Sequence, residues 1–367
     1  MVSVRTFKVL FTGDSLDEAG NVRGEDIGVE ALQATGFIHT GFILDQKPSA
    51  EDAAYWARLY SLEITAEHIA AADAVVTIRP WLKAEAFARG ADRLVAIGRA
   101  GMGYDKIDIN ACTQNDVVVF NTPESLTHST ASAAFTLMLA LAKKLRLQQS
   151  ILMTGRWDRQ SEAYGDDLIG KTLGIIGLGK TGQELARLVA PFHMKVLAYS
   201  PRVDRFTAEA LGVGLVPNLD DLLSVSDFVS LHCRLEKHTR GLLNASRLRL
   251  LKSTAYLINV ARGEMIDEQA LVDLLREQKI AGAGLDVFET EPLPTSSPLL
   301  TLDNVILTPH WLPSTKRAAM ATRDVILQNV VRVATGQKPE NVLNPAVLER
   351  PGFQRKLARF EENRHNG

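Results

Sequence analysis

Three residues in the second half of the chain could do chemistry together. Arg262 stands in NVARGEMIDE, Glu291 in AGLDVFETEP and His310 in NVILTPHW, each just past an apolar, strand-like run. If those runs are neighbouring parallel strands, all three side chains fall on one sheet edge, the edge where open α/β folds bind ligands. A guanidinium grips a carboxylate bidentately and polarises a neighbouring carbonyl. An imidazole backed by a carboxylate supplies or takes a proton. That set suits hydride exchange on a 2-keto acid, with Glu291 favouring the charged imidazolium of His310. Glu289 competes with Glu291 for the role, and each residue taken singly also has an ordinary reading: a surface ion pair, a loop carboxylate, a packed histidine.

The hydride donor has its own signature upstream. Gly177, Gly179 and Gly182 form G-x-G-x-x-G in GIIGLGKTG, after the strand-like TLGIIGL and before the helical TGQELARLVAP. This context gives the motif its meaning: one glycine for the tight turn, one for close approach to a pyrophosphate, one for helix–strand packing. Lys180 and Thr181 open a helix whose N-terminal N–H groups face the phosphates. The next strand ends at Tyr199, where an acidic residue usually binds the ribose 2′-hydroxyl. Here Ser200, Pro201 and Arg202 follow, with Arg205 close behind and Asp204 as the nearest acid. A hydroxyl and cations in that place favour a 2′-phosphate, hence NADP over NAD. Asp286, ending the strand in GLDVF, is placed to hydrogen-bond the nicotinamide end, or to cap a turn.

The elements that position these groups are legible as two βα series. In residues 6–121 FKVLFTG, DAVVTI, RLVAIG and DVVVF read as strands separated by helical patterns. From 171 onward TLGIIGL, KVLAYS, DFVSLHC, TAYLINV, GAGLDVF and NVILTP are near-continuous apolar runs, as in parallel strands covered on both faces. The expected fold is α/β, with two Rossmann-like doubly wound parallel-sheet domains. Residues 1–122 and 313–350 form a discontinuous substrate domain, 123–312 the dinucleotide domain, and 351–367 a polar C-terminal tail or surface helix. Asn121-Thr122-Pro123 reads as the hinge, because proline disfavours helix before it. The Ala-rich segment after it reads as a buried helix, in a core or at a subunit interface. In the first domain the turn Arg99-Ala100-Gly101-Met102-Gly103 could cradle a carboxylate on exposed N–H groups, with Arg79 and Trp81 lining the same cleft.

Composition narrows the alternatives. The 367 residues are 46% apolar and 23% charged, with 43 acidic against 41 basic side chains and a net charge of −2. No basic field draws nucleic acid or an anionic membrane, and no run approaches the roughly 20 apolar residues of a membrane span. The two cysteines, Cys112 and Cys233, are far apart and in no metal-ligand spacing. A soluble, cytoplasmic protein without metal is expected.

Taken together, GRAGMGYDKIDINAC, NTPESLTHSTA, GKTLGIIGLGKTG, VSLHCRLEKHTRGLL, LINVARGEMIDEQAL, AGLDVFETEPLP and NVILTPH resemble the D-isomer-specific 2-hydroxyacid dehydrogenase family, over about residues 70–345. The resemblance implies that Arg262, Glu291 and His310 are catalytic, and that Met102 and Gly103 join Arg262 in holding the substrate carboxylate. It implies a cofactor site of Gly177, Gly179, Lys180, Thr181, Gly182, Ser200, Pro201, Arg202, Cys233, Thr239, Val260, Ala261 and Asp286. It also implies a homodimer formed partly through the 124–144 helix. The substrate would be a small 2-keto or 2-hydroxy acid such as glyoxylate, hydroxypyruvate or 3-phosphoglycerate. Corepressors of the same fold, which sense the dinucleotide, are the alternative; formate dehydrogenases are disfavoured because they pair the histidine with Gln. Three departures stand out: Ser200 for the usual Asp, Arg234 where Pro is common after Cys233, and the bulky Trp311 after His310.

Overall fold

The structure, a computed structural model, describes residues 5–13, 16, 27–43 and 55–365. The chain divides into two compact units: Met1–Leu126 with Thr315–Gly367, and Thr127–Ser314. The sequence places the breaks at 122 and 312; the observed ones fall after Leu126 and Ser314.

The first unit is built on five parallel strands: β1 (Phe7–Thr12), β2 (Ile38–Ile43), β3 (Ala74–Thr77), β4 (Ala96–Arg99) and β5 (Val118–Asn121), in the order β2-β1-β3-β4-β5. Alternate residues feed two separate cores. Val9, Phe11, Val76, Val118 and Phe120 enter one, while Leu10, Val75, Ile97 and Val119 enter the other. Side chains alternate across a strand, so burial on both faces yields the unbroken apolar runs seen in sequence. β2 was not among the expected strands. Its sequence IHTGFI is interrupted by polar and glycine residues, and its middle is only partly buried because it is the edge strand.

The C-terminal segment corrects the sequence reading. The sequence predicts a polar tail or a surface helix over 351–367; Pro351–Ala358 is a helix, but its Phe353 and Leu357 lie in the first unit's core, as does Phe360. The Phe360 and Phe7 rings meet edge to face at 4.8 Å. Asn363, fully buried, donates to the carbonyls of Arg5 and Ala334 at 2.8 and 3.0 Å. Lys356 is buried too, and its Nζ donates to the carbonyls of Leu94 and Asn115 at 3.0 and 2.7 Å. The charged majority of this segment faces water, while three apolar residues at helical spacing face inward. The long helical pattern after 314 is the helix Lys316–Ala334, which sends Ile326, Val330 and Val333 into the same core.

The second unit holds seven parallel strands: β6 (Thr172–Ile176), β7 (Lys195–Tyr199), β8 (Gly214–Leu215), β9 (Phe228–Leu231), β10 (Tyr256–Asn259), β11 (Gly282–Leu285) and β12 (Val305–Leu307). Their order is β12-β11-β10-β9-β6-β7-β8. Six match the expected runs; the seventh, β8, has only two residues at the edge, too short to show a pattern. Again both faces are covered: Val229, Leu231, Leu257 and Leu285 face one core, Leu173, Ile175, Phe228 and Ile258 the other. The helix Thr127–Ala142 packs on this sheet, with Leu137, Met138 and Leu141 in the second of these cores. Strand order reverses at β6, between β9 and β7. This is the topological switch point, outside whose carboxyl ends an open α/β sheet forms its binding crevice.

Candidate active site

The glycine loop leads straight from β6 to the helix Lys180–Val189. Gly177 adopts φ 98°, and a Cβ there would collide with the backbone of Cys233. A Cβ on Gly182 would lie 2.3 Å from the Gly177 carbonyl oxygen. Both glycines are therefore required by packing alone. Gly179 differs: a Cβ there meets nothing within 4 Å. It caps the helix without any side-chain hydrogen bond, and a helix N-terminus is suited to receive phosphates. Thr181 is buried in this turn and Lys180 exposed. The second indication of a bound group is at Asp286, fully buried at the end of β11. Its Oδ1 accepts from Thr308 Oγ1 at 2.6 Å and from the N–H groups of Trp311 and Leu312, both at 3.1 Å. Its Oδ2 is buried with no hydrogen-bond partner among the described residues. Burial holds the Asp286 carboxyl above its ordinary range despite those donors. An open glycine, an uncapped helix start and an orphaned carboxylate oxygen fit a dinucleotide whose phosphates lie on the helix and whose nicotinamide end carries a donor.

Val260 and Ala261 follow β10 and lead to Arg262. Buried Asn259 clamps this turn: its Oδ1 accepts from Ala261 N at 3.0 Å and its Nδ2 donates to the Arg262 carbonyl at 2.8 Å. Arg262 itself is partly buried, and Nη1 donates to the Ala261 carbonyl at 2.7 Å. Gly263 then lies so close to the next loop that a Cβ would sit 1.9 Å from the Phe288 carbonyl carbon. That approach brings the Arg262 turn against the loop bearing Glu291.

Two contacts fix Glu291: its Oε1 accepts from Phe288 N at 3.1 Å and its Oε2 lies 2.8 Å from His310 Nδ1. The same loop is tied at Glu289, whose N donates to Glu268 Oε2 at 3.0 Å. Burial alone would raise the Glu291 carboxyl. The His310 hydrogen bond and charge, the Phe288 N–H and the Arg262 guanidinium outweigh it, so the net displacement is below the ordinary value. His310 adopts φ 52°, a conformation uncommon outside glycine and frequent at functional sites. With Nδ1 on the carboxylate, Nε2 is the atom left for proton exchange, and it makes no hydrogen bond among the described residues. Competing Glu289 is exposed; Glu291 is the acid that meets the imidazole.

At the other end of the crevice the structure modifies the sequence reading. Ser200 is partly buried, and Pro201 and Arg202 are exposed. Arg202 forms a two-pronged ion pair with Glu236, at 2.7 and 3.2 Å. Arg205 pairs with Glu209 on its own helix at 2.6 Å, and Asp204 caps that helix by accepting from Thr207 N. Of the two cations expected there, only Arg202 reaches across to the loop after β9. Cys233 is partly exposed with Sγ 3.6 Å from Met265 Sδ, and burial pushes its thiol up to about 11, so it stays neutral. Thr239 is buried and closes the loop it stands in, its Oγ1 accepting from Glu236 N and donating to the Arg234 carbonyl, both at 2.7 Å. His232, next to Cys233 in the chain, is held down to about 4 by burial and is therefore neutral.

Met102 and Gly103 belong to the first unit. Their turn is tied to the end of β5: Asn121 Nδ2 donates to the Met102 carbonyl at 2.9 Å, and Gly101 N donates to Thr122 Oγ1 at 2.9 Å. The N–H groups of Met102 and Gly103 donate to nothing among the described residues. Arg79 stacks near Tyr60 and Trp56, at 5.4 and 5.9 Å. Sequence reasoning passed over Asn259, Glu268, Thr308 and Glu236. The first three act through neighbours, and only Asn259, next to the NVARG run, carried any local signal.

Comparison with known proteins agrees with this geometry. Residues 135–311 match the model of the D-isomer specific 2-hydroxyacid dehydrogenase NAD binding domain. The chain is 40% identical over 304 residues to a glyoxylate reductase of Thermococcus onnurineus, covering 80% of this chain and 90% of that one. The chain belongs to the D-isomer-specific 2-hydroxyacid dehydrogenase family. It is also 42% identical over 254 residues to a D-3-phosphoglycerate dehydrogenase of Methanocaldococcus jannaschii; that match takes in 69% of this chain but spans only 48% of the longer relative. Among solved structures, D-lactate dehydrogenase of Aquifex aeolicus complexed with NAD and lactic acid shares 27% identity at a TM-score of 0.76, over 92% of this chain and 99% of that one. An acyclic imino acid reductase in complex with NADPH and D-Arg shares 26% at 0.74, over 92% and 99%. Structural neighbours of this chain thus occur with either dinucleotide. No described helix is long and apolar enough to cross a membrane.

Proposed function

We propose that this family member is an oxidoreductase that transfers a hydride between NADP, or less readily NAD, and a small D-2-hydroxy or 2-keto acid. The observation that carries the reading is the His310–Glu291 hydrogen bond at 2.8 Å beside Arg262, in the unit that holds the dinucleotide loop. A bound dihydronicotinamide supplies the hydride. Arg262 grips the substrate carboxylate and polarises the carbonyl. His310 gives its Nε2 proton to the carbonyl oxygen during reduction and takes it back during oxidation. Glu291 orients the ring and stabilises its charged form. Met102 and Gly103, whose N–H groups donate to nothing among the described residues, are proposed as carboxylate binders. The helix start at Gly179, Lys180 and Thr181 would receive the phosphates, and Asp286 Oδ2 the nicotinamide end, with Val260, Ala261, Cys233 and Thr239 lining the rest.

Ser200 and Arg202, in place of a carboxylate, support a 2′-phosphate. Glyoxylate and hydroxypyruvate are the first substrates to try, given the glyoxylate reductase likeness, and 3-phosphoglycerate the next. A homodimer is supported by the exposed apolar side chains of Leu145, Leu152, Met153, Trp157, Tyr164 and Ile169, a density unusual on a lone surface. A cytoplasmic location is supported by two cysteines that form no disulfide. A panel of 2-keto acids assayed with NADPH and NADH tests the whole. Turnover of at least one is expected; dinucleotide binding with no turnover of any would overturn the enzyme reading in favour of a dinucleotide-sensing protein.

A further inference from the structure

Arg202 and Glu236 stand on opposite sides of the glycine loop. Arg202 follows β7, Glu236 follows β9, and β6 lies between those strands. Their ion pair therefore bridges the crevice at the strand-order reversal. The two partners are held unequally. The Arg202 side chain is 73% exposed, whereas Glu236, at 27%, is set in the loop closed by Thr239. His238 Nδ1 lies 3.4 Å from the same carboxylate. Glu236 thus cannot follow Arg202 if the guanidinium turns elsewhere.

A guanidinium fork accepts a carboxylate or a phosphate equally well in shape. A 2′-phosphate arriving past Ser200 must take Arg202 from Glu236. It then sits beside the carboxylate left behind, and like charges so placed repel. A 2′-hydroxyl has neither difficulty: it needs no cation and carries no charge. Glu236 therefore acts against one cofactor only.

We propose that Glu236 sets this chain's discrimination between NADP and NAD, as a fixed carboxylate that competes with the 2′-phosphate for Arg202. The proposal rests on the reading of the β7 end as the 2′ subsite. It implies a wild-type preference for NADP that is real but shallow.

The test is direct binding of NADH and NADPH by titration calorimetry to wild type, Glu236→Gln, Arg202→Ala and the double variant, at low salt, where charge effects are least screened. Glu236→Gln should tighten NADPH about tenfold and leave NADH within about twofold, since no charge on NADH meets it. In the Arg202→Ala background the same change should tighten NADPH much less, because no fork remains to be freed. An unchanged ratio of the two Kd values in Glu236→Gln would overturn the proposal. So would an equal shift for both cofactors, which would make Glu236 a support of its loop. Glu236→Asp keeps the charge on a shorter arm and should fall between wild type and Gln. A wild type that binds NADH more tightly refutes the NADP preference, whereas the change in ratio on Glu236→Gln judges the role of Glu236 by itself.

Discussion

Glu291 and His310 come from loops after different strands, β11 and β12, and meet with Oε2 and Nδ1 2.8 Å apart. The contact leaves Nε2 without a hydrogen bond among the described residues, as the proposed proton donor requires. His310→Ala should fold and bind dinucleotide, but lose about 10²–10⁴-fold in kcat, the usual contribution of a positioned proton donor. Wild-type kcat in that variant across pH 5–9 would remove His310 from the mechanism.

The same contact has a stability signature. The Glu291 carboxyl lies below its ordinary value in the folded protein. Its ionised form therefore stabilises the fold above the unfolded value near 4.5, and that contribution is lost as pH falls through the lower folded value. Glu291→Gln should lower the thermal midpoint at pH 7, and the gap to wild type should close as pH drops below 4.5. A gap that widens on acidification would contradict the geometry.

Asn259 fixes the Arg262 backbone carbonyl, and one guanidinium nitrogen donates to the Ala261 carbonyl. Arg262→Lys keeps the charge and loses the planar fork. A fall of at least about tenfold in kcat/KM is expected, with the thermal midpoint little changed. Equal kcat/KM for the two proteins would show that the charge alone suffices.

The glycine loop separates packing from binding. Gly182→Ala should destabilise the unit, because its Cβ would sit 2.3 Å from the Gly177 carbonyl oxygen. Gly179→Ala should leave the thermal midpoint within about 2 °C, since nothing lies within 4 Å of its Cβ, yet weaken NADPH binding measured by fluorescence titration. If Gly179→Ala bound NADPH as wild type does, the phosphates would not lie there.

Much of this was readable in the chain. Strands covered on both faces, such as TLGIIGL and TAYLINV, announce themselves by continuous burial, and the sheet edge then collects Arg262, Glu291 and His310. What escaped is of three kinds. β2 and β8 lie at sheet edges, where half-burial or shortness erases the pattern. The pairings Arg202–Glu236 and Glu268–Glu289 join residues whose nearness depends on strand order, which no local motif carries. The 351–367 segment is a third case. Its charge count suggested a tail, whereas the positions of Phe353, Leu357 and Phe360 describe one buried face. Phe353→Ala should therefore cost about 3–5 kcal/mol of stability, read by denaturant unfolding; an effect under about 1 kcal/mol, as for surface sites, would return the segment to the surface.

The last prediction concerns cofactor choice from the β7 side. Ser200 stands where a carboxylate would accept from the ribose 2′-hydroxyl, and Asp204, the nearest acid, is spent capping a helix. Arg205 is engaged by Glu209, so of these two arginines Arg202 is the one proposed to meet a 2′-phosphate, in exchange for Glu236. A charge-assisted hydrogen bond of that kind is worth about 1.5–3 kcal/mol. Ser200→Asp with Arg202→Ala removes the attraction and adds a repelling carboxylate that suits the hydroxyl, so it should turn the preference toward NADH by at least about tenfold. Titration of both cofactors against both proteins decides it. A wild-type Kd for NADH equal to or below that for NADPH would refute the NADP preference at its source, and a double variant with an unchanged ratio would show that the end of β7 does not read the 2′ position.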